Sequence, residues 1–185
     1  MRTPAEVSAA DTVGQPEVIA RTIVYSVLIS SAVLLLKVSW GRPEVAITLL
    51  LALLLANAGG VALVRLLARE KQRTLAALWR SLLLCAAGLL LLDLFGRNDW
   101  LHMLPGIVIA GIGLGSASQV TSALLQPMGN ITVVAATVLL AIIAALLSVT
   151  LLIQMQVATN FAIAWLIDLV LLGALVVRIA ERDAE

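Results

Sequence analysis

Residues 161–179 read FAIAWLIDLVLLGALVVRI. At about 1.5 Å of rise per residue a helix over this stretch is about 28 Å long. That matches the roughly 30 Å hydrocarbon core of a bilayer. Two ionisable residues interrupt the run: Arg178 near one end and Asp168 near the centre. A span-length apolar helix with a central carboxylate makes this a membrane segment and raises the question of what the carboxylate does.

Working outward, the same length recurs. Val18–Ser39, Val45–Leu67, Leu75–Phe95, Leu101–Leu125 and Ile131–Ile153 are apolar runs of similar size, with Phe161–Ile179 as the sixth. The joints read WGRPE, AREKQRT, GRNDW, QPMGN and QMQVATN, where Gly, Pro, Asn and Asp stop helices and make turns. Such short joints predict that consecutive helices run antiparallel as neighbours. Composition agrees: 62% of the chain is hydrophobic and 12% charged, with a mean hydropathy of +1.09. A soluble domain is about 45–50% apolar and about 25% charged. The expected fold is all-α, a polytopic transmembrane bundle of about six helices. Residues 1–17 read as a mobile polar tail without a secretory signal, 18–181 as the six-helix domain, and 182–185 as a polar C-terminal tail.

Basic residues set the expected orientation. With the N-terminus inside, that side holds Arg2, Arg21, Arg65, Arg69, Lys71, Arg73, Arg80, Arg178 and Arg182, against Lys37, Arg42 and Arg97 opposite. The bias favours both termini inside. Arg65, Arg69, Lys71 and Arg73 form one basic joint, whose ordinary role is topology and contact with anionic headgroups. Trp40 and Trp100 fall at expected outer boundaries and Trp79 at an inner one, where indole rings anchor. A bacterial-type inner (plasma) membrane is the expected location.

Several classes find no support. The positive residues do not interleave with aromatics, so nucleic-acid binding is set aside. One Cys, Cys85, and one His, His102, give no metal-ligand spacing. No Ser–His–Asp constellation suggests itself. GIGLG at 111–115 lacks the preceding strand and following Lys of a phosphate loop. NIT at 130–132 matches a glycosylation acceptor but sits at an expected cytoplasmic joint. Enzyme chemistry, a cofactor and a metal are not expected.

Polar residues inside the membrane carry the remaining information. A central Asp costs about 2.5–3.5 kcal/mol on an insertion scale, so Asp168 needs protonation, a polar partner or a water-filled cavity. Ser30 and Asn57 lie at the same expected depth. With Gln119 they form the candidate substrate- or ion-binding set: Asp168, Asn57, Ser30 and Gln119. Asp93 and Lys37 lie near the outer boundary, where they could pair. Helical spacing aligns Thr22, Ser26, Ser30 and Lys37 on one face. It likewise aligns Ala52, Ala56 and Gly60, and Thr137, Ala141, Ala145 and Ser148. Gly111, Gly115, Gln119, Ser122 and Gln126 make a further stripe, in which Gly111, Gly115, Ser122 and Gln126 are the candidate helix-packing or oligomer face. Small residues at such intervals are the ordinary packing surface of a membrane bundle, and two glutamines on one stripe also suit a pore lining.

The stretch LHMLPGIVIAGIGLGSASQVTSALL, residues 101–125, resembles a late helix in the C-terminal half of drug–proton antiporters of the major facilitator superfamily, with its Leu-Pro-Gly and Gly-x-Gly-Leu-Gly core. REKQRTLAALWRSLLLCAAGLLLLDL, residues 69–94, is similar to that family's basic loop and the Gly-containing helix after it. The resemblance covers about residues 65–125. The family has twelve or fourteen spans, so the resemblance implies half a permease that needs a partner half. Asp168 is not carried over from it. The leading expectation is a transport-related half-size permease or transporter subunit acting as an oligomer. The alternative is a structural or accessory membrane subunit of a larger complex. A homo-oligomer or a larger membrane complex is expected in either case.

Overall fold

The computed structural model describes residues 4–67, 75–95, 99–125, 131–154 and 159–184. It is all-helical, with α1 Pro4–Val38, α2 Pro43–Leu67, α3 Leu75–Phe95, α4 Leu104–Leu125, α5 Ile131–Gln154 and α6 Thr159–Ala184. Local chemistry sets several of these ends. Gly41 turns the chain between α1 and α2 at φ 84°, a conformation that glycine adopts without a Cβ penalty. Pro43 follows at the first position of α2, where a missing N–H costs no hydrogen bond. Residues Trp100–Met103 form a 3-10 turn, so α4 starts three residues later than the apolar run does. The helical backbone of α1 reaches back to Pro4, through residues that the polar composition marks as a tail; its membrane-length apolar part is Val18–Val38.

Five helices are long and apolar enough to cross a bilayer among the described residues: Val18–Val38, Pro43–Leu66, Leu75–Phe95, Trp100–Leu124 and Thr159–Asp183. In α5 the apolar part that meets the description is shorter, Val138–Leu151. Connectivity gives α5 a return path along the bundle. Leu34 and Leu35 of α1 share a cavity wall with Met103 and Ile107 of α4 and with Thr159 and Ile163 of α6. Thus α4 ends at the end of the bundle away from this cavity and α6 begins beside it. The chain between them has to return along the bundle, and the 24 residues of α5 reach about 36 Å.

Helix α4 sits between α2 and α3, and glycines on two of its faces make that possible. Toward α3, a Cβ on Gly106 would meet Leu92 N at 2.7 Å, and one on Gly113 would strike the Cys85 backbone. Gly88 of α3 abuts the Ala110 backbone in return. The pairs 88 with 110 and 85 with 113 make α3 and α4 antiparallel. Toward α2, Gly111 lies against Ala56, Gly115 against the Asn57 carbonyl, and Gly60 against the Ile112 carbonyl. The Leu53 carbonyl lies against Gly111, the Asn57 carbonyl against Gly115 and the Gly60 carbonyl against Ser116, so numbers rise together along these carbonyl contacts and α2 and α4 are parallel. The two small-residue stripes read from spans two and four therefore face one another, with Ser116 Oγ donating to the Gly60 carbonyl at 3.4 Å.

Helix α6 packs on α3 and α1, and α1 returns to α4, closing a four-helix ring. Val24, Val27, Leu78, Leu82, Ile107, Leu114, Leu166, Val170 and Val177 fill it and are essentially inaccessible. Helix α5 lies outside the ring, with α1 as its principal neighbour. Ala141 and Ala145 are its buried side chains, and Ser26 Oγ of α1 donates to the Ala141 carbonyl at 3.2 Å. Thr137 and Ser148, the other members of that stripe, have side chains outside the described residues.

Candidate functional site

The geometry of α6 decides where its carboxyl group goes. Ala162, Ile163, Leu166, Val170, Gly173, Ala174 and Val177 face inward. Gly173 lets Ile23 of α1 approach, its Cδ1 lying 2.5 Å from where a Cβ would be. Asp168 is two residues beyond Leu166, about 200° around the helix, and is exposed on the outside of the bundle. It lies nine residues past Thr159, about 13 Å along the axis, inside the apolar span Thr159–Asp183. Phe161, Trp165, Leu172 and Leu175 surround it on that face, all exposed. No hydrogen bond or ion pair reaches Asp168 among the described residues.

The rest of the candidate ion-binding set lies elsewhere. Ser30 is buried on α1, and its hydroxyl has no hydrogen-bond partner among the described residues. Asn57 is half-buried in the α2–α4 seam, its backbone against Gly115 and Gly111. Gln119 is half-buried on α4 and accepts a hydrogen bond from Arg65 Nη2 at 3.5 Å. The structure thus brings Asn57 to the glycine stripe and Gln119 to Arg65, and holds Asp168 apart from all of them on the outer face of α6. Gly111 and Gly115 pack on α2 of the same chain, and Ser122 is half-buried near the end of α4. Gln126, Arg69, Lys71 and Arg73 lie outside the described residues, whereas Arg65 is exposed in the last turn of α2.

The interior of the ring offers little space. Its cavity is about 30 Å³, walled by Ser31, Leu35, Leu53, Leu92, Ile107 and Leu166 among others. That is room for a water molecule or two, and Ser31 and Thr159 are the only hydroxyl-bearing residues on its wall. The Ser31 hydroxyl is buried without a hydrogen-bond partner among the described residues. Ser31→Ala is therefore expected to stabilise the protein by about 1 kcal/mol, by removing an unsatisfied buried group. Thermal unfolding in detergent reads this; a loss of stability would mean that water or a rotated hydroxyl satisfies Ser31 in solution.

At the end of the bundle where α2 finishes, Arg178 of α6 stacks over the Trp79 ring of α3, its guanidinium carbon 5.1 Å from the centroid. Arg178 also pairs with Glu181 one turn on. Arg21 stacks similarly over Tyr25, at 5.6 Å. The sequence places Trp79 and Arg178 separately at one boundary and does not signal the α3–α6 contact that joins them. At the other end, one oxygen of Asp93 is buried without a hydrogen-bond partner among the described residues, and Lys37 is exposed. No ion pair joins the two among the described residues.

A polar group facing outward from the α6 span, on a bundle whose described interior is closely packed and mostly apolar, is the chemistry these residues offer. No protein-family model, curated protein or solved structure matches the chain, so its classification as a multi-pass helical membrane protein rests on its own residues and packing.

Proposed function

We propose that the protein is a structural or accessory membrane subunit, a helical module that docks onto another transmembrane helix through the outer face of α6. The observation that carries this is the placement of Asp168: exposed, unpaired among the described residues and centred in the span. A carboxyl group there is too short to reach either interface, and hydrocarbon offers it no hydrogen bond. Covering that face with a helix that supplies a polar partner removes the cost. The packed, apolar ring interior supports the same reading: among the described residues its cavity is about 30 Å³, room for a water molecule or two.

The second reading is a half-size permease acting as an oligomer. It is favoured by the same carboxyl group, which would line a path formed between chains, and it fits the partner half implied by the antiporter resemblance. Flux through proteoliposomes separates the two. The docking reading expects no movement of protons, alkali cations or amphiphilic dyes above that of empty liposomes. Flux that falls at least tenfold in Asp168→Asn would replace it with the permease.

A further inference from the structure

The outer face of α6 has a more specific pattern than a general apolar surface. Phe161, Trp165, Asp168, Leu172, Leu175, Ile179 and Arg182 are spaced by alternating steps of four and three, and all seven are exposed. This is a heptad seam, the spacing that keeps one stripe turned toward a partner helix as two helices supercoil. It runs the length of the span, and Asp168 occupies a layer near its middle. The described outer face of α5 differs: Leu139, Leu140, Ile142, Ile143, Leu146 and Leu147 are exposed there, and lipid alone satisfies such a surface.

Resting on the docking reading above, we propose that the helix covering this face is α6 of a second copy of the chain, with the two Asp168 carboxyl groups paired across a twofold axis. Copies inserted in the same orientation present their α6 helices parallel, so every layer of the seam meets itself. A carboxylic acid holds one donor and an acceptor oxygen. Two of them at one depth therefore complete each other through reciprocal O–H to O=C hydrogen bonds and bring no net charge into the hydrocarbon. An ion pair between copies is ruled out by depth: Arg178 lies ten residues from Asp168, about 15 Å along the axis, and Arg182 lies further in the same direction. A single polar layer within an apolar seam also fixes register, since any slip leaves both carboxyl groups against apolar side chains.

The test uses the full chain in liposomes. Subunit counting over a dilution series gives the self-association constant. Disulfide trapping of Leu172→Cys and, separately, of Leu146→Cys on α5, both in a Cys85→Ala background, locates the contact. The expected result is a dimer that traps through position 172 and not through 146. Asp168→Asn, which keeps both a donor and an acceptor, holds it together, and Asp168→Leu weakens it about tenfold, the scale of an interhelical hydrogen bond in a bilayer. Because Asp168 lies outside the packed ring, both variants keep the thermal stability of the isolated chain. A monomer at every dilution that co-purifies with a different membrane protein only when Asp168 is intact overturns the second-copy assignment and leaves the docking reading standing. A monomer with no Asp168-dependent partner overturns both. A dimer that traps through position 146 overturns the α6 seam.

Discussion

Gly60→Ala is expected to cost about 3 kcal/mol of stability, whereas Gly59→Ala, one residue earlier, is expected to add about 0.5 kcal/mol. The two glycines share a helix and differ only in direction. A methyl on Gly60 would meet the Ile112 carbonyl oxygen, with the Ile112 carbon and Cα at 3.0 Å; nothing lies within 4 Å of one on Gly59. The obstacle at Gly60 is backbone, which has no rotamer through which to retreat, so α2 must move away from α4 along the whole seam. That movement also opens the contacts at Gly111 and Gly115. At Gly59 the methyl projects outward and only restricts the unfolded backbone. Thermal unfolding in detergent should separate the variants by on the order of 10 °C for a chain of this size. Equal effects at the two positions would mean that α2 does not press its Gly60 face on α4.

Leu82→Ala is expected to destabilise by about 2 kcal/mol, and Leu55→Ala by close to nothing. Leu82 is fully buried in the ring and Leu55 is 71% exposed on the outside. In water such a truncation loses both transfer free energy and packing. In a bilayer the unfolded helix is already surrounded by hydrocarbon, so the transfer part largely cancels and the residual cavity dominates. Cys85 provides the readout. It is the sole cysteine of the chain and is completely buried beside Gly113, so a membrane-permeant maleimide reaches it only when α3 and α4 separate. Labelling of the Leu82→Ala protein should run about 30-fold faster than wild type, the factor that 2 kcal/mol sets on an opening equilibrium. Labelling at an unchanged rate would place Cys85 at an accessible surface and contradict the α3–α4 packing.

The helices were legible in the sequence because length is a physical requirement of the bilayer. Leu75–Phe95 was delimited residue for residue, and the ends of α2 and α5 were placed within two residues. Where α4 and α6 start differently, the cause is local: a 3-10 turn at Trp100–Met103, and helix that begins at Thr159 ahead of the apolar run. Inside and outside were not legible. In a soluble helix the apolar stripe marks the core, but here Leu166 faces protein and Leu172 faces outward, and both are leucine. Small residues were the better guide, since Gly60, Gly111 and Gly115 announced close approach. Their spacing did not name the opposing helix. Asp168 was visible as an exception but not its direction, which depends on how α6 sits against α1 and α3. The grouping of Asp168 with Ser30 and Asn57 rests on shared expected depth, and that with Gln119 on the polar stripe of span four; neither distinguishes the two sides of a helix.

The ring closes between helices that are far apart in synthesis. Helix α1 precedes the other five, yet its main neighbours are α4, α5 and α6, while α2 and α3 each pack on α4, which follows them directly. During translation α1 thus waits in lipid with Ser26, Ser30 and Ser31 uncovered, and the hydroxyl of Ser26 gains the Ala141 carbonyl only after more than a hundred further residues have been added. Helix α6 joins α1 to α3, so a chain halted before α6 would lack the element that closes the ring.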